Sequence, residues 1–200
     1  MTYWIFSTEI FTHDEKLVQA KQLFPTKEDL KKLVKSSDFV SPLQNFPYPK
    51  YISFKFQIDR YRSVPDNFFT GTGFSLYSKQ LVTLLQEYGV NCETFTPSLI
   101  DENQEPRPDL NYLVFHLLET VQKSENSQEI HKSEENQLNT SKILASLGNK
   151  AIVSLPNVYA PVMSDELKKS IEKNGISGFS FIPLEEYLEK RNDDAGEQTE

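Results

Sequence analysis

The sequence predicts an α+β fold in which a mostly antiparallel or mixed sheet packs against helices. One segment alternates strictly between apolar and polar residues, further apolar segments have the length of strands, and two segments with helical spacing each end at a glycine. The length of 200 residues suits one domain, and an aromatic content of 12% favours a packed core over disorder. We therefore expect a single domain over residues 1–188.

The strand predictions depend on the period of the apolar residues. The clearest strand is Tyr51–Asp59, in which Ile52, Phe54, Phe56 and Ile58 alternate with polar residues. A period of two predicts one buried and one solvent-facing side, as in an antiparallel or edge-accessible strand. The other predicted strands are Tyr3–Phe11, Leu110–Leu118 and Ala151–Leu155.

Two helices are predicted near the amino terminus. Segment Asp14–Phe24 has apolar residues at helical spacing. Pro25 precedes a second helix, because Thr26 and Asp29 have the spacing of a capping box and an apolar stripe follows them. The stretch Asp38–Lys50 contains three prolines and is predicted to be an irregular connection.

The most informative pattern is an internal similarity between two segments. Leu76–Pro97 aligns without a gap with Val162–Pro183, over 22 positions. In each segment a serine can cap the start of a helix, and a glycine can take the left-handed conformation that ends it. The pattern predicts two similar helix–glycine–strand units, and the alternative is that two common cap-and-strand segments agree by chance. The matched pairs are Ser78 with Ser164, Leu81 with Leu167, Leu85 with Ile171, Gly89 with Gly175, Val90 with Ile176, Phe95 with Phe181 and Pro97 with Pro183.

The formal net charge of −8 is concentrated in two segments. Residues 122–141 carry −2 and consist mainly of Gln, Asn, Ser, Glu and Lys, which predicts a mobile polar segment. Residues 189–200 carry −3 and are predicted to form a disordered acidic tail. Because the rest of the chain is nearly balanced and has no basic stripe, nucleic-acid binding is not expected, whereas a basic protein partner is compatible with the charge.

Three features predict a cytoplasmic protein. The first residues lack the basic region and the apolar run of a signal peptide. No apolar stretch approaches the roughly 18 residues needed to cross a bilayer, so membrane association is not expected. Cys92 is the single cysteine and can form no internal disulfide.

The residue types that carry catalysis or metal binding are not grouped in the sequence. His13, His116 and His131 have no metal-ligand spacing with another His, Cys or carboxylate. Gly71-Thr72-Gly73 is too short for a phosphate-binding loop and lacks the following Lys-Ser or Lys-Thr. We therefore expect no catalytic residues, no metal site and no cofactor.

A family resemblance is carried by the two similar segments, by a strand centred on Tyr112, and by the run Gly175–Leu184. It covers roughly residues 65–184. In these residues the chain resembles the immunity proteins of bacterial polymorphic toxin systems, a family first catalogued as a domain of unknown function. The resemblance implies a small protein that binds and neutralises a cognate toxin by direct, stoichiometric interaction. It implies neither a cofactor nor catalysis.

Two groups of side chains are candidates for contact with a protein partner. Three aromatic rings lie in or next to the proline-containing connection, where exposed Tyr and Phe often contribute to interfaces. Their alternative placement is under the core. Three carboxylates lie in a segment that is predicted to be an exposed loop. The candidate contact residues are Phe46, Tyr48, Tyr51, Asp101, Glu102 and Glu105.

Two other functions are compatible with the sequence. An uncharacterised enzyme or small-molecule binder would need a deep, polar-lined cavity that holds His116 or clustered carboxylates. An adaptor subunit would bind a protein other than a toxin, and the neighbouring genes would distinguish it from an immunity protein.

Overall fold

The computed structural model describes residues 2–9, 11–13, 16–26, 28–29, 52–61, 63–70, 74–119, 140–155 and 161–197. The strands in these ranges are β1 (Tyr3–Thr8), β2 (Phe11–His13), β3 (Lys16–Val18), β4 (Ala20–Phe24), β5 (Lys55–Ile58), β6 (Asn67–Phe68), β7 (Ser75–Ser78), β8 (Cys92–Phe95), β9 (Ser98–Ile100), β10 (Tyr112–Leu117), β11 (Ile152–Val153), β12 (Val162–Ser164) and β13 (Phe179–Pro183). The helices are α1 (Lys79–Glu87), α2 (Thr140–Leu147), α3 (Asp165–Lys173) and α4 (Leu184–Glu197). The α+β class with antiparallel and mixed sheets is confirmed.

The first sheet contains β6, β7, β10 and β8 in that order, and its neighbouring strands are antiparallel. Its inner strand β10 pairs Tyr112 with Ser78 on one side and Val114 with Phe95 on the other. The predicted strand Leu110–Leu118 is confirmed as β10. Successive side chains of β10 are buried on opposite faces, so the strand does not alternate and is apolar except for His116.

The second sheet contains β11, β12, β1 and β13 in that order and is also antiparallel. Its inner strand β1 pairs Tyr3 with Ser164 and Ile5 with Ile182. The strands predicted near the amino terminus and near residue 152 are confirmed as β1 and β11, both shorter than predicted. Because β1 lies between two strands from the other end of the chain, the amino-terminal segment is fixed inside the fold.

The third sheet contains β4, β5 and β9. Strand β5 pairs antiparallel with β4 and parallel with β9, so it is an inner strand of a mixed sheet. The predicted alternation is confirmed, because Ile52, Phe54, Phe56 and Ile58 are all buried and the residues between them are half-buried or exposed. Strands β2 and β3 form a separate two-stranded pair.

Three apolar clusters fill the space between these layers. The first contains residues of both four-stranded sheets together with the inner faces of α1 and α3. The second lies between the first and third sheets, and the third lies between the second sheet and helices α2 and α4. The first cluster contains Phe6, Tyr77, Leu81, Val82, Leu84, Leu85, Phe115, Leu117, Ile152, Met163, Leu167, Ile171 and Ile176.

Helices α1 and α3 begin directly after a serine and end shortly before a glycine, at the positions that the sequence predicts. The Ser78 hydroxyl accepts the N–H of Leu81, and the Ser164 hydroxyl accepts the N–H of Leu167. Each helix is followed by a glycine with positive φ, 69° at Gly89 and 66° at Gly175. The serine hydroxyls thus satisfy main-chain N–H groups that the start of a helix otherwise leaves unpaired.

The prediction of a helix over Asp14–Phe24 is wrong. The described part of this segment forms β3 and β4, and β4 pairs with β5 from Ala20 opposite Ile58 onward. The apolar spacing is compatible with a helix, but Ala20 is buried where β4 pairs in the third sheet, and Val18 of β3 is buried in the same cluster. The capping box that follows is present, because Thr26 and Asp29 exchange side-chain to main-chain hydrogen bonds.

Helix α4 continues through residues for which the composition predicts disorder. The predicted tail begins at residue 189, whereas the helix runs from Leu184 to Glu197. Leu184 and Leu188 are buried in the third cluster, and Lys190 pairs with Glu186 one turn earlier. The predicted mobile segment at residues 122–141 lies outside the described residues except for its last two, which begin α2.

Replacing Gly178 by Ala is expected to destabilise the fold strongly. The φ of Gly178 is 92°, and an added Cβ would lie 2.6 Å from the carbonyl oxygen of Asn67. Left-handed strain and overpacking together should lower the free energy of unfolding by about 3 kcal/mol. Gly89→Ala is the control, because φ is 69° there and no atom lies within 4 Å, so that about 1 kcal/mol is expected. Urea unfolding measures both values, and equal losses would contradict the close contact.

Candidate partner-binding surface

A short turn, Asp101–Glu105, connects β9 to the segment that leads into β10, and we call it the acidic turn. Asp101 is fully buried, and its Oδ1 accepts the N–H groups of Asn103 and Glu105, both at 2.9 Å. Its own N–H donates to the carbonyl of Glu105 at 2.8 Å. Gln104 takes a positive φ of 66° to close the turn. The buried carboxylate therefore fixes the main chain of the whole turn.

Arg60 connects the acidic turn to the chain after β5. Its Nε donates to Asp101 Oδ2 at 2.8 Å, and its main-chain N–H donates to Glu102 Oε2 at 3.3 Å. Arg60 is mostly exposed whereas Asp101 is fully buried. The ion pair thus closes the outer side of a buried carboxylate that is already hydrogen-bonded to the turn.

Arg107 holds the segment that follows the acidic turn. Its side chain is buried and donates through Nε and Nη2 to Asp109, the shortest of these bonds being 2.8 Å. Its Nη1 donates to the carbonyl oxygens of Ile58 and Asp59, at 3.0 and 3.2 Å. This planar, forked arrangement satisfies a buried guanidinium and ties the segment to the end of β5.

The charge states of these groups follow from their hydrogen bonds. Burial alone raises the pKa of Asp101, but the N–H of Glu105, the Arg60 guanidinium and the N–H of Asn103 together hold that pKa below its ordinary value. The guanidinium of Arg107 likewise lowers the pKa of Asp109. Both carboxyl groups are therefore ionised at neutral pH.

The acidic turn presents only part of the predicted carboxylate group to solvent. Glu102 and Glu105 are exposed, as predicted for this loop, and their contact with a partner stays a prediction. Asp101 differs from the expectation of an exposed contact residue. Its side chain is buried and accepts hydrogen bonds within the turn, so it cannot contact a partner. A buried, hydrogen-bonded Asp at the start of a tight turn is a structural role that sequence alone does not distinguish from an exposed one.

An open groove of about 460 Å³ lies beside the acidic turn. It is bounded by the segments on either side of β9 and by the start of α1. Its surface is mixed, with apolar and proline side chains next to one exposed lysine. Residues that line it include Lys79, Pro97, Leu99, Pro106, Pro108 and Leu113.

His116 and Cys92 lie away from this groove, on neighbouring strands of the first sheet. His116 is buried, and its Nδ1 lies 2.8 Å from Glu93 Oε1 across the β8–β10 pair. Burial and the nearby Glu93 carboxylate raise the pKa of the Cys92 thiol, so this thiol is protonated at neutral pH. The environment of Cys92 is that of a partly buried apolar side chain rather than of a nucleophile.

Two further properties concern only the residues with described positions. No group of three or more His, Cys, Asp or Glu side chains among them is arranged to hold a metal ion. None of their helices has the length and apolar character needed to span a bilayer.

Two comparisons with known proteins find no match for the chain. No protein-family model matches the chain, and no curated protein matches it.

The predicted contact residues have three different outcomes. Glu102 and Glu105 are exposed on one turn, and Asp101 is buried beneath them. The aromatic candidates Phe46, Tyr48 and Tyr51 lie outside the described residues.

The sequence did not identify Arg60 and Arg107 as part of this surface. Arg60 is 41 positions from its partner Asp101, so no local pattern connects the two. The sequence around Arg107 gives a weak indication of a structural role, because Arg107 lies between two prolines and two positions before Asp109.

Replacing Asp101 by Asn should destabilise the protein at neutral pH and change how its stability depends on pH. Because the folded-state pKa is lowered, the Asp101 carboxylate stabilises the fold above the ordinary pKa of 3.8. This contribution is lost as the pH falls below that value. The urea midpoints of the wild type and Asp101→Asn should therefore differ above the ordinary pKa of 3.8 and converge as the pH falls below it.

Glu105→Gln is the control for this measurement, because its side chain is exposed and should leave the urea midpoint unchanged. A midpoint difference for Asp101→Asn that stays constant down to acid pH would contradict the role given to the carboxylate.

Proposed function

We propose that the chain is a cytoplasmic immunity protein that binds a cognate bacterial toxin in a one-to-one complex and so neutralises it. The observation that supports this most directly is the acidic turn, in which two exposed carboxylates project from a main chain held by Asp101, Arg60 and Arg107. A turn that is ordered before binding loses little conformational entropy when a partner docks on it. The family resemblance supports the same proposal.

The partner that fits the acidic turn has a basic surface. Glu102 and Glu105 are exposed and the chain carries a net charge of −8. Opposite charges at the rim of an interface raise the association rate and suppress the binding of wrong partners. The proposal includes no catalytic step and no cofactor, and the toxin is blocked by occupancy of its surface.

The proposal also includes a duplicated scaffold: we infer that the two similar segments are copies of one unit. In each copy the first N–H of the helix donates to the residue before the inner strand. Lys79 donates to Asn111 in the first sheet, and Asp165 donates to Thr2 in the second, at 2.9 and 3.0 Å. Together with the matching serine caps, this agreement is more than two unrelated helix starts require.

The proposed function is tested by mixing the purified chain with the toxin domain encoded by the neighbouring gene. A stable complex of one copy of each should elute as a single species in size-exclusion chromatography, and calorimetry should give a stoichiometry of one. The chain should also abolish the activity of the toxin at equimolar amounts. Failure to form a complex with that domain would overturn the proposal.

Replacing Glu102 and Glu105 together by Gln should slow association with the toxin about threefold to tenfold at low salt, with little change in the dissociation rate. The loss should shrink as the ionic strength rises, because salt screens rim charges. Surface plasmon resonance at two salt concentrations measures both effects.

The matched control is Glu87→Gln, which neutralises an exposed carboxylate at the end of α1, compared with the single variant Glu102→Gln. Equal effects of the two single changes would show that only the net charge matters, and not the acidic turn.

A further inference from the structure

Strand β13 has one edge that no strand of the described residues occupies. The N–H of Glu9 donates to the carbonyl of Gly178 at 3.0 Å, next to the start of β13. In an antiparallel pair the main-chain groups of successive residues point alternately toward and away from the neighbour. The groups of Ser180 and Ile182 therefore point toward β1, and those of Phe179 and Phe181 point away from it.

The residue just before this edge is already paired in the same manner. Ser177 accepts the N–H of Asn67 at 3.2 Å and donates its own N–H to Asp66 Oδ2 at 2.9 Å. The close approach is possible because Gly178 has no side chain to meet Asn67. Strand β6 then turns into the second cluster, where Phe68 is buried. The outward groups from Phe179 onward are left without a strand among the described residues.

No charged side chain protects this edge, and Pro183, which lacks an N–H, blocks only its last outward position. Natural sheets usually place charged residues, bulges or coverings on an exposed edge, because an uncharged edge pairs with other chains. Residues Phe179–Pro183 carry no charge, and Ile182 is one of two large apolar side chains that are exposed in the described part of the chain. The equivalent outer strand of the first sheet, β8, carries Glu93.

An aromatic group lies beside the open edge. Phe181 stacks on Phe179 with ring centroids 5.7 Å apart, and the ammonium of Lys168 lies 5.2 Å from the Phe181 ring and 4.5 Å from the Trp4 ring. Half-buried Trp and Phe side chains of this kind give large contact area at low entropic cost when a partner covers them.

The charges at the two ends of the edge select the type of strand that fits it. Asp66 lies at one end, and Glu185 and Glu189 are exposed in α4 just after the other. Two cations near the edge are already paired, Lys168 with Glu172 and Lys190 with Glu186.

A second copy of β13 fits this edge poorly. In an antiparallel pair of identical strands, the Glu185 end of one copy would meet the Asp66 end of the other, which places like charges together. An extended segment with an apolar centre and basic ends is complementary instead.

We propose that the open edge of β13 is a strand-addition site that binds an extended segment of the partner, with basic side chains near Asp66 and Glu185. This rests on the proposed function, in which the partner is the cognate toxin. The acidic turn then acts mainly on association, and the strand pairing acts on the lifetime of the complex.

Amide hydrogen exchange, measured by NMR with and without the toxin domain of the neighbouring gene, tests the pairing directly. In the complex the N–H groups of Phe179 and Phe181 should become protected, while those of Ser180 and Ile182 are already bonded to β1 and should change little. A complex in which Phe179 and Phe181 exchange as fast as in the free chain would overturn the strand-addition site and leave the proposed function intact. The same alternating protection in the chain alone, rising with its concentration, would also overturn it in favour of self-association.

Two substitutions at one position separate the N–H from the ring. Phe181→Pro removes the outward N–H, which an edge strand tolerates, and Phe181→Val removes the ring but keeps the N–H. The proline variant should dissociate from the toxin at least about tenfold faster, and the valine variant less than about threefold faster. Thermal melts of both variants check that they are folded. Equal dissociation rates would overturn the pairing, and absence of any complex with the wild-type chain would overturn the proposed function and this site together.

Discussion

The fold depends on one apolar cluster that the two four-stranded sheets share. Tyr77 and Phe115 of the first sheet stack at 4.9 Å, and Phe6 and Met163 of the second sheet belong to the same cluster. Neither sheet could leave this side exposed to water, because the inner strands β10 and β1 carry buried apolar side chains on both faces. Helices α1 and α3 close the cluster. The hydroxyl groups of Tyr88 in the first segment and Ser170 in the second lie 2.5 Å apart.

The two sheets also have faces that point away from the shared cluster, and different elements cover these faces. The first sheet packs against the third sheet, and the acidic turn follows from the end of β9. The second sheet packs against α2 and α4, and its outer strand β13 has no further strand beside it among the described residues.

The sequence predicts local features of this fold well where one pattern decides the structure. The alternation from Ile52 to Ile58, the serine caps and the glycine stops each have a local physical cause, and each is found. The residues before Phe24 have apolar spacing that fits a helix and a strand alike, and the partner strand β5 decides between the two. That partner lies more than thirty positions away, so no local pattern reveals it.

The candidate site likewise combines features that a local pattern predicts with features that depend on distant residues. The exposure of Glu102 and Glu105 follows from composition, whereas the burial of Asp101 depends on Arg60 and on the way the turn closes at Gln104. The outward direction of the Phe181 main chain depends on the register between β13 and β1, which is fixed by residues at opposite ends of the chain. These candidate surfaces are therefore set by strand pairing and by contacts that are distant in sequence, rather than by residue type alone.

The position of β1 between β12 and β13 has a consequence for biosynthesis. Among the described strands β1 is synthesised first, whereas its two partners, β12 and β13, are synthesised last. During synthesis, residues Trp4-Ile5-Phe6 therefore stay an unpaired apolar segment until β12 and β13 are made. The first sheet can assemble earlier, from residues 67–117. Completion of the second sheet is a late, long-range step, and a fusion partner at the amino terminus that hinders it would lower the yield of folded protein.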